Sequence, residues 1–320
     1  MTDGHRATST STKPAAPGTP HLFMSCPDGV LVIDKPVGPT SHDVVAWARR
    51  ALGTRRIGHA GTLDPAASGV LPLLVGQATR LAQFLTGGEK EYVATVLFGR
   101  TSNTYDATGT VVETGTQVTR QAVEQALPYF RGAFAQTPPP YSAKKIAGVR
   151  AYLLARADRP VLPKAVTVTV QQLVLLDYSR DRAILKVTCS AGFYVRSLAH
   201  DLGQRLGSGA LLETLERTRA GRFVLEGATT SDDLVAKDSD DLFARIEPMA
   251  ELLSGMPVAV LTDEGVNRAS HGREVGAVHV DTWPAVAAGS AVQLLAPDGR
   301  LLGVGTMGEM SFLHPSVVLR

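Results

Sequence analysis

Residues 165–190 read AVTVTVQQLVLLDYSRDRAILKVTCS, two runs of β-branched and aliphatic residues parted by Ser-Arg-Asp-Arg. Such runs fit a pleated, half-buried surface, and the break between them fits a tight reversal. The pair therefore predicts a long hairpin, which commits the chain to a sheet rather than a helical bundle. KEYVATVLFG (90–99) and VLVIDKP (30–36) predict further strands. Helices are expected at SHDVVAWARRAL (41–52), capped by Ser41, at GQATRLAQFL (76–85) and at TRQAVEQALPYF (119–130) up to Pro128. AGFYVRSLAHDLGQRLG (191–207) reads as a loop leading into a helix with Val195, Leu198, Leu202 and Leu206 on one face. QTPPPYSAKKIAGVRAYLLAR (136–156) begins as an extended proline segment and is expected to turn helical after Gly148.

Beyond these elements SDDLVAK and DDLFARIEPMAELL form an acidic stretch of short helices, the expected boundary region. PVAVLT (257–262) and AVQLLAPDGRLLGVG (291–305), with Asp298-Gly299 at a hairpin turn, give the last part strand character. The expected fold class is α/β (α+β), a mixed, largely antiparallel sheet flanked by helices and followed by a small β-rich domain. Its parts are a disordered tail over 1–24, a main domain over 25–255 and the small domain over 256–320. No internal repeat is visible.

Charge divides along the same line. Residues 40–222 carry 23 basic and 13 acidic side chains, a net of +10, whereas 223–320 carry 6 and 14, a net of −8. A long basic segment suits a polyanion partner, although a solvated surface would also account for it. No apolar run approaches the roughly 20 residues needed to cross a bilayer. The Thr-, Ser-, Pro- and Ala-rich N-terminus has no apolar core, so it is not read as a signal peptide. Cys26 and Cys189 are too few for a disulfide framework or a zinc site, and a cytoplasmic location is expected.

There is no glycine-rich dinucleotide fingerprint, Walker loop or nucleophile elbow, and His42, His59 and His200 lack metal-ligand spacing. An enzyme of this sequence is expected to work with side chains alone, without cofactor or metal. That draws attention to GHAGTLDPAASG (58–69), where a single carboxylate, Asp64, lies among glycines, small residues and a proline. Asp64-Pro65 can start a helix as cap and first residue. Alternatively, the small residues admit another molecule and Asp64 does chemistry on it. The residues alone leave both readings open.

Five stretches in order settle the family expectation: DKPVGPTSHDVV (34–45), GHAGTLDPAASGVLPLLVGQATR (58–80), KEYVATVLFGRTSNTYDATG (90–109), QTPPPYSAKKIAGVRAY (136–152) and SAGFYVRSLAHDLGQRLGSGA (190–210). Their order and spacing closely resemble the TruB family of tRNA pseudouridine synthases over about residues 28–222. The resemblance implies isomerisation of the tRNA T-loop uridine, position 55 in standard tRNA numbering, after base flipping. It implies Asp64 as the nucleophile, attacking either base or ribose, and Tyr92 as the ring stacked on the flipped base. Arg196 is implied as the cation paired with Asp64, and Tyr194 as a candidate for the proton step at carbon 5. His59 would meet the RNA, Leu215 would wall the pocket, and Lys35 with Pro36 would support the active-site loop.

By charge alone, Arg49, Arg50, Arg55, Arg56, Lys144, Lys145 and Arg150 are expected at phosphates. Ala60, Asn103 and Glu216 depart from the family pattern, and Glu216 weakens the case for a phosphate contact at its position. The last part stands where the family carries a small RNA-binding PUA-like domain, but its acidity argues against strong phosphate binding. The implied partner is the T-arm of tRNA, bound by a monomer. A tRNA-binding or folding chaperone and a related synthase acting on another RNA are the competing readings.

Overall fold

The computed structural model describes residues 26–142, 144–146, 148–151, 161–310 and 312–319. The tail expected over 1–24 lies outside these residues, as does most of the helix expected beyond Gly148. The side chains of residues 145, 146, 149 and 150 lie outside them too.

Eleven strands form the main sheet: β1 (Gly29–Lys35), β2 (Ile57–His59), β3 (Ala67–Val75), β4 (Lys90–Phe98), β5 (Gly132–Gln136), β6 (Val166–Ser179), β7 (Arg182–Cys189), β8 (Ala210–Ala220), β9 (Phe223–Val224), β10 (Thr229–Thr230) and β11 (Glu247–Pro248). The path runs β10-β1-β3-β8-β4-β7-β6-β5, with β2 on β3, β9 on β8 and β11 on β1. Only β1–β10 and β3–β8 are parallel. The sheet is therefore mixed and largely antiparallel, as expected. The hairpin read at 165–190 is β6–β7, and Arg180 takes a positive φ of 56° at its turn.

Helices α1 (Ser41–Ala51), α2 (Arg120–Ala126) and α3 (Val195–Arg205) accompany the sheet. The cap of α1 is Thr40, one residue before the expected Ser41. Thr40 and Asp43 bond reciprocally, Asp43 N to Thr40 Oγ1 at 3.1 Å and Thr40 N to Asp43 Oδ2 at 2.8 Å. Ser41 instead turns inward, toward the loop before β3. On that side of the sheet Leu31, Ile33, Leu71, Leu73 and Val75 pack with Val44, Ala48, Phe98, Leu185, Leu198 and Leu202.

Six more strands make the second sheet: β12 (Val258–Leu261), β13 (Val275–Gly276), β14 (Val280–Thr282), β15 (Ala291–Leu295), β16 (Leu301–Met307) and β17 (Phe312–Val318). Helix α4 (Asp263–Ser270) covers one face, over Leu302, Met307 and Leu313. The other face packs Leu301, Val304, Val317 and Leu319 onto Val30, Val70, Leu74, Leu252 and Leu253. Each such buried aliphatic side chain stabilises by about 1.5–3 kcal/mol before entropy is counted. The two sheets thus share a core. Gln293 stitches their junction, its amide donating to Leu253 O at 3.0 Å and Met256 O at 2.9 Å.

Candidate active site

Asp64 does not begin a helix. The chain turns at Pro65-Ala66 and enters β3 at Ala67, with Ala67 N–H donating to Asp64 O at 3.0 Å. Three inward-facing side chains hold the carbonyls around it. The Ser41 hydroxyl donates to Leu63 O at 3.0 Å and accepts from Leu63 N at 2.9 Å. Lys35 Nζ donates to Ala67 O at 2.6 Å, Pro36 O at 2.9 Å and Pro65 O at 3.4 Å. Gly38 N–H adds a bond to Pro65 O at 2.8 Å. The Arg217 guanidinium takes Gly61 O at 3.0 Å and Thr62 O at 3.5 Å. A loop of small residues, floppy in isolation, is thereby fixed nearly residue by residue.

Lys35 is fully buried rather than an exposed charge. Burial pulls its ammonium down to about 8, against the opposing pull of Asp64, while the nearby Arg217 cation lowers it further. Pro36, half-buried, contributes through its carbonyl.

The Asp64 carboxylate is 45% exposed and meets Arg196 at 2.8 Å, while the arginine side chain is only 8% exposed. Arg196 lies in the first turn of α3, where the 136–142 segment runs alongside. Gln136 clamps the Tyr194 backbone in both directions, at 2.8 and 3.0 Å. Ser197 Oγ donates to Thr137 O at 2.7 Å, and Arg196 to Tyr141 O at 3.0 Å. The guanidinium also reaches Thr104 O at 3.2 Å and Asp106 Oδ2 at 3.6 Å. One buried cation is thus held between two carboxylates and two carbonyls.

Asp106 was not singled out from the sequence, although it stands inside the TSNTYDATG stretch (101–109). Its Oδ1 accepts from Thr104 Oγ1 at 2.7 Å and Thr108 N at 3.0 Å, leaving Oδ2 for Arg196. Tyr105 before it sits at φ 65°, an uncommon conformation for a tyrosine, with its ring stacked on His200 at 3.8 Å. A cleft lined by Asp64, Ala67, Asp106, Arg196, Leu212 and Leu215 opens here. Leu215 serves both as a wall of the cleft and as a partner to the core.

Tyr92 is only 8% exposed and packs in the main core. It lies across the sheet from Arg217, and burial pushes its phenol up while the Arg217 cation opposes the rise. Tyr194 caps α3; burial pushes its phenol up too, with Arg196 opposing. A raised phenol stays protonated at neutral pH, so Tyr194 is a hydrogen-bond donor rather than a ready base. His59 ends β2 edge-on to His42, ring centroids 5.4 Å apart, with Nδ1 unpartnered. Burial, then His42 and Arg217, pull its imidazole down, so it is neutral near pH 7.

The structure brings Asp64, Arg196 and Leu215 to one cleft, with Lys35 and Pro36 beneath the loop. None of the phosphate candidates whose side chains are described lines this cleft. Arg50 and Arg55 are exposed, whereas Arg49 also bonds Ile57 O at 2.7 Å and Arg56 the Thr79 hydroxyl at 3.3 Å. Lys144 is half-buried. The Asn103 side chain accepts from Thr110 N at 2.9 Å, Ala60 is buried, and Glu216 is half-buried on β8. No helix among the described residues is long and apolar enough to cross a membrane.

Known proteins share this arrangement of chain. The N-terminal domain model of the TruB family pseudouridylate synthases matches residues 49–195, and the model for the C-terminal domain of tRNA pseudouridylate synthase B matches 196–254. A tRNA pseudouridine synthase B of Solibacter usitatus is 42% identical over 295 residues, 91% of this chain and 100% of the relative. Another, of Symbiobacterium thermophilum, is 46% identical over 250 residues, 77% of this chain and 82% of the relative. Among solved structures, that of an H/ACA RNP bound to a substrate RNA containing 2'-deoxyuridine superposes with a TM-score of 0.71. The identity is 26%, covering 94% of this chain and 88% of that one. With both domain models matching in order and a relative 42% identical covered along its whole length, the chain belongs to the TruB family of tRNA pseudouridine synthases.

Proposed function

We propose that the protein isomerises the T-loop uridine of tRNA, position 55 in standard tRNA numbering, to pseudouridine with Asp64 as nucleophile. As a member of the TruB family it is a tRNA pseudouridine synthase. The reaction breaks the bond between N1 and the ribose C1′, turns the uracil, and joins C1′ to C5. The C5 proton is released and N1 gains one, so no atom is gained or lost overall.

The observation that carries the reading is the half-exposed Asp64 carboxylate held at 2.8 Å by a buried arginine. That pairing keeps one oxygen bound, while the cleft leaves the other open to an incoming nucleotide. Leu215 offers an apolar wall for the base, and Tyr194, two residues before Arg196, carries a protonated phenol. The uridine has to leave its stack to arrive there. Arg50 and Arg55 offer phosphate contacts for the T-arm. Tyr92 is covered in this structure, so stacking on the flipped base requires its neighbours to open. A monomeric, cytoplasmic working state belongs to the same proposal.

The test maps pseudouridine by position in an unmodified tRNA transcript incubated with wild type or Asp64→Asn. Product at the T-loop uridine with wild type alone is expected. Undiminished product with D64N would remove Asp64 from the chemistry, and tRNA binding without product from either protein would favour a chaperone. The likeness to a protein of an H/ACA RNP favours, as a second reading, a different RNA substrate. Product on a ribosomal RNA transcript in place of tRNA would establish it.

A further inference from the structure

Arg217 is the bulkiest of the fully buried side chains, 1% exposed, and among the described residues it forms no ion pair with a carboxylate. A guanidinium removed from water without an anion is costly, and an apolar side chain of similar volume is often tolerated as well or better. Its charge is not neutralised locally. It is felt at Lys35, Lys90 and His59, each held below its ordinary pKa first by burial and then in part by Arg217.

We infer that Arg217 is a positioning residue for the uridine isomerisation, fixing the loop that carries Asp64 relative to Tyr92, its cross-strand neighbour. The inference rests on the reading of Asp64 as nucleophile.

The position is built into the sheet. On β8, Arg217 lies opposite Tyr92 of β4 and opposite Gly69 of β3. Gly69 has φ 99°, and a Cβ there would stand 2.3 Å from Arg217 O, so only glycine lets β8 approach so closely. From this anchored backbone the guanidinium spreads over three acceptors. Nε takes Val70 O at 2.8 Å and the two terminal nitrogens take Gly61 O and Thr62 O, with Tyr92 as its cross-strand neighbour. Gly61 and Thr62 lead directly into Asp64, and Val70 follows it in β3.

A lysine retains the charge but not the planar fork, so it cannot hold the three backbone carbonyls together.

The experiment compares wild type, Arg217→Lys, Tyr92→Phe, the R217K/Y92F pair and D64N in single-turnover pseudouridine formation with saturating tRNA transcript. Dissociation constants and melting curves are taken on the same proteins. R217K is expected to fold, to bind tRNA within about threefold of wild type, and to react about 100-fold more slowly, the size of effect a slightly misplaced site produces. The pair is expected to react no more slowly than the slower single variant, because the two side chains are direct cross-strand neighbours and couple. Should R217K not fold, R217M, which keeps the packing volume, carries the same comparison.

A rate within threefold of wild type would overturn the proposal. So would multiplying effects in the pair, or a rate loss explained entirely by weaker tRNA binding. Failure of both R217K and R217M to fold would make Arg217 scaffold and overturn it too. D64N separates the two readings: product from D64N removes the nucleophile reading whatever R217K does. No product from D64N beside a normal R217K removes the Arg217 proposal alone.

Discussion

Replacing Arg196 by methionine keeps most of the side-chain volume and deletes the cation between Asp64 and Asp106. At the observed 2.8 Å to Asp64, a unit charge pair is worth about 6 kcal/mol at an effective permittivity near 20 and about 1.5 kcal/mol in bulk water. Asp64 is nearly half exposed and Arg196 nearly covered, so a value of about 3 kcal/mol between those limits applies. The loss is felt in full at the transition state if Asp64 must attack as an ordered anion, which is roughly a hundredfold in rate. Removing the cation also leaves Asp106, formerly 3.6 Å from the guanidinium, facing Asp64 without a charge between them. The Thr104 and Tyr141 carbonyls lose their donor, so stability falls by about 1–3 kcal/mol as well. Binding of tRNA should change by no more than about threefold, because a side chain this buried offers phosphates nothing. Single-turnover pseudouridine formation at saturating R196M, beside filter binding and a circular-dichroism melt, separates these effects. A folded R196M reacting within threefold of wild type would refute the electrostatic argument, as would a slow rate restored fully by more enzyme.

Two further outcomes follow from the same loop. Lys35 has a folded pKa of about 8 against an unfolded value of about 10.4. Between these values the unfolded chain binds more protons than the native one, so stability from this site rises with pH through the window. Activity should run the other way, falling as the ammonium that holds Pro65 and Ala67 is lost near pH 8. A pH–rate profile in which K35M keeps the same alkaline limb would contradict this. Gly69→Ala forces a positive φ on alanine and puts its Cβ against Arg217 O. Urea unfolding should show a loss of about 2–4 kcal/mol, and a loss under 0.5 kcal/mol would mean that the strands part easily.

Periodicity and turn chemistry reveal the elements whose own residues decide their state. The β6–β7 hairpin and α3 emerge at nearly their observed bounds because β-branched runs and a spaced apolar face carry the signal locally. The strand β3 is hidden behind Asp64-Pro65, a pair that also suits a helix start, and it contains Pro72. Its conformation comes from pairing with β1 and β8, which no local rule contains. The same holds for β8, whose ALLETLERTRA (210–220) is rich in good helix formers yet is locked between β3 and β4. Arg217 escapes notice for that reason. Once β8 is a strand, an arginine on its covered side is a buried charge in plain view. Asp64 and Arg196 are legible through motif order, but the Asp106 contact depends on a loop folding back from a distant strand.

The strands that flank the Asp64 loop, β1 and β3, are covered along most of both faces. Leu31, Ile33, Leu71 and Leu73 of β1 and β3 face the main core, while Val30, Val70 and Leu74 between them lie under Leu301, Val304 and Val317 of the second sheet. The acidic C-terminal part is therefore free to drift in its affinity for RNA but not to be discarded. Deleting it would strip one side of the very strands that fix Lys35 and Asp64. Modularity ends at that seam: in evolution, as in truncation experiments, this unit can lose its trade and still be indispensable as the other half of the enzyme's spine.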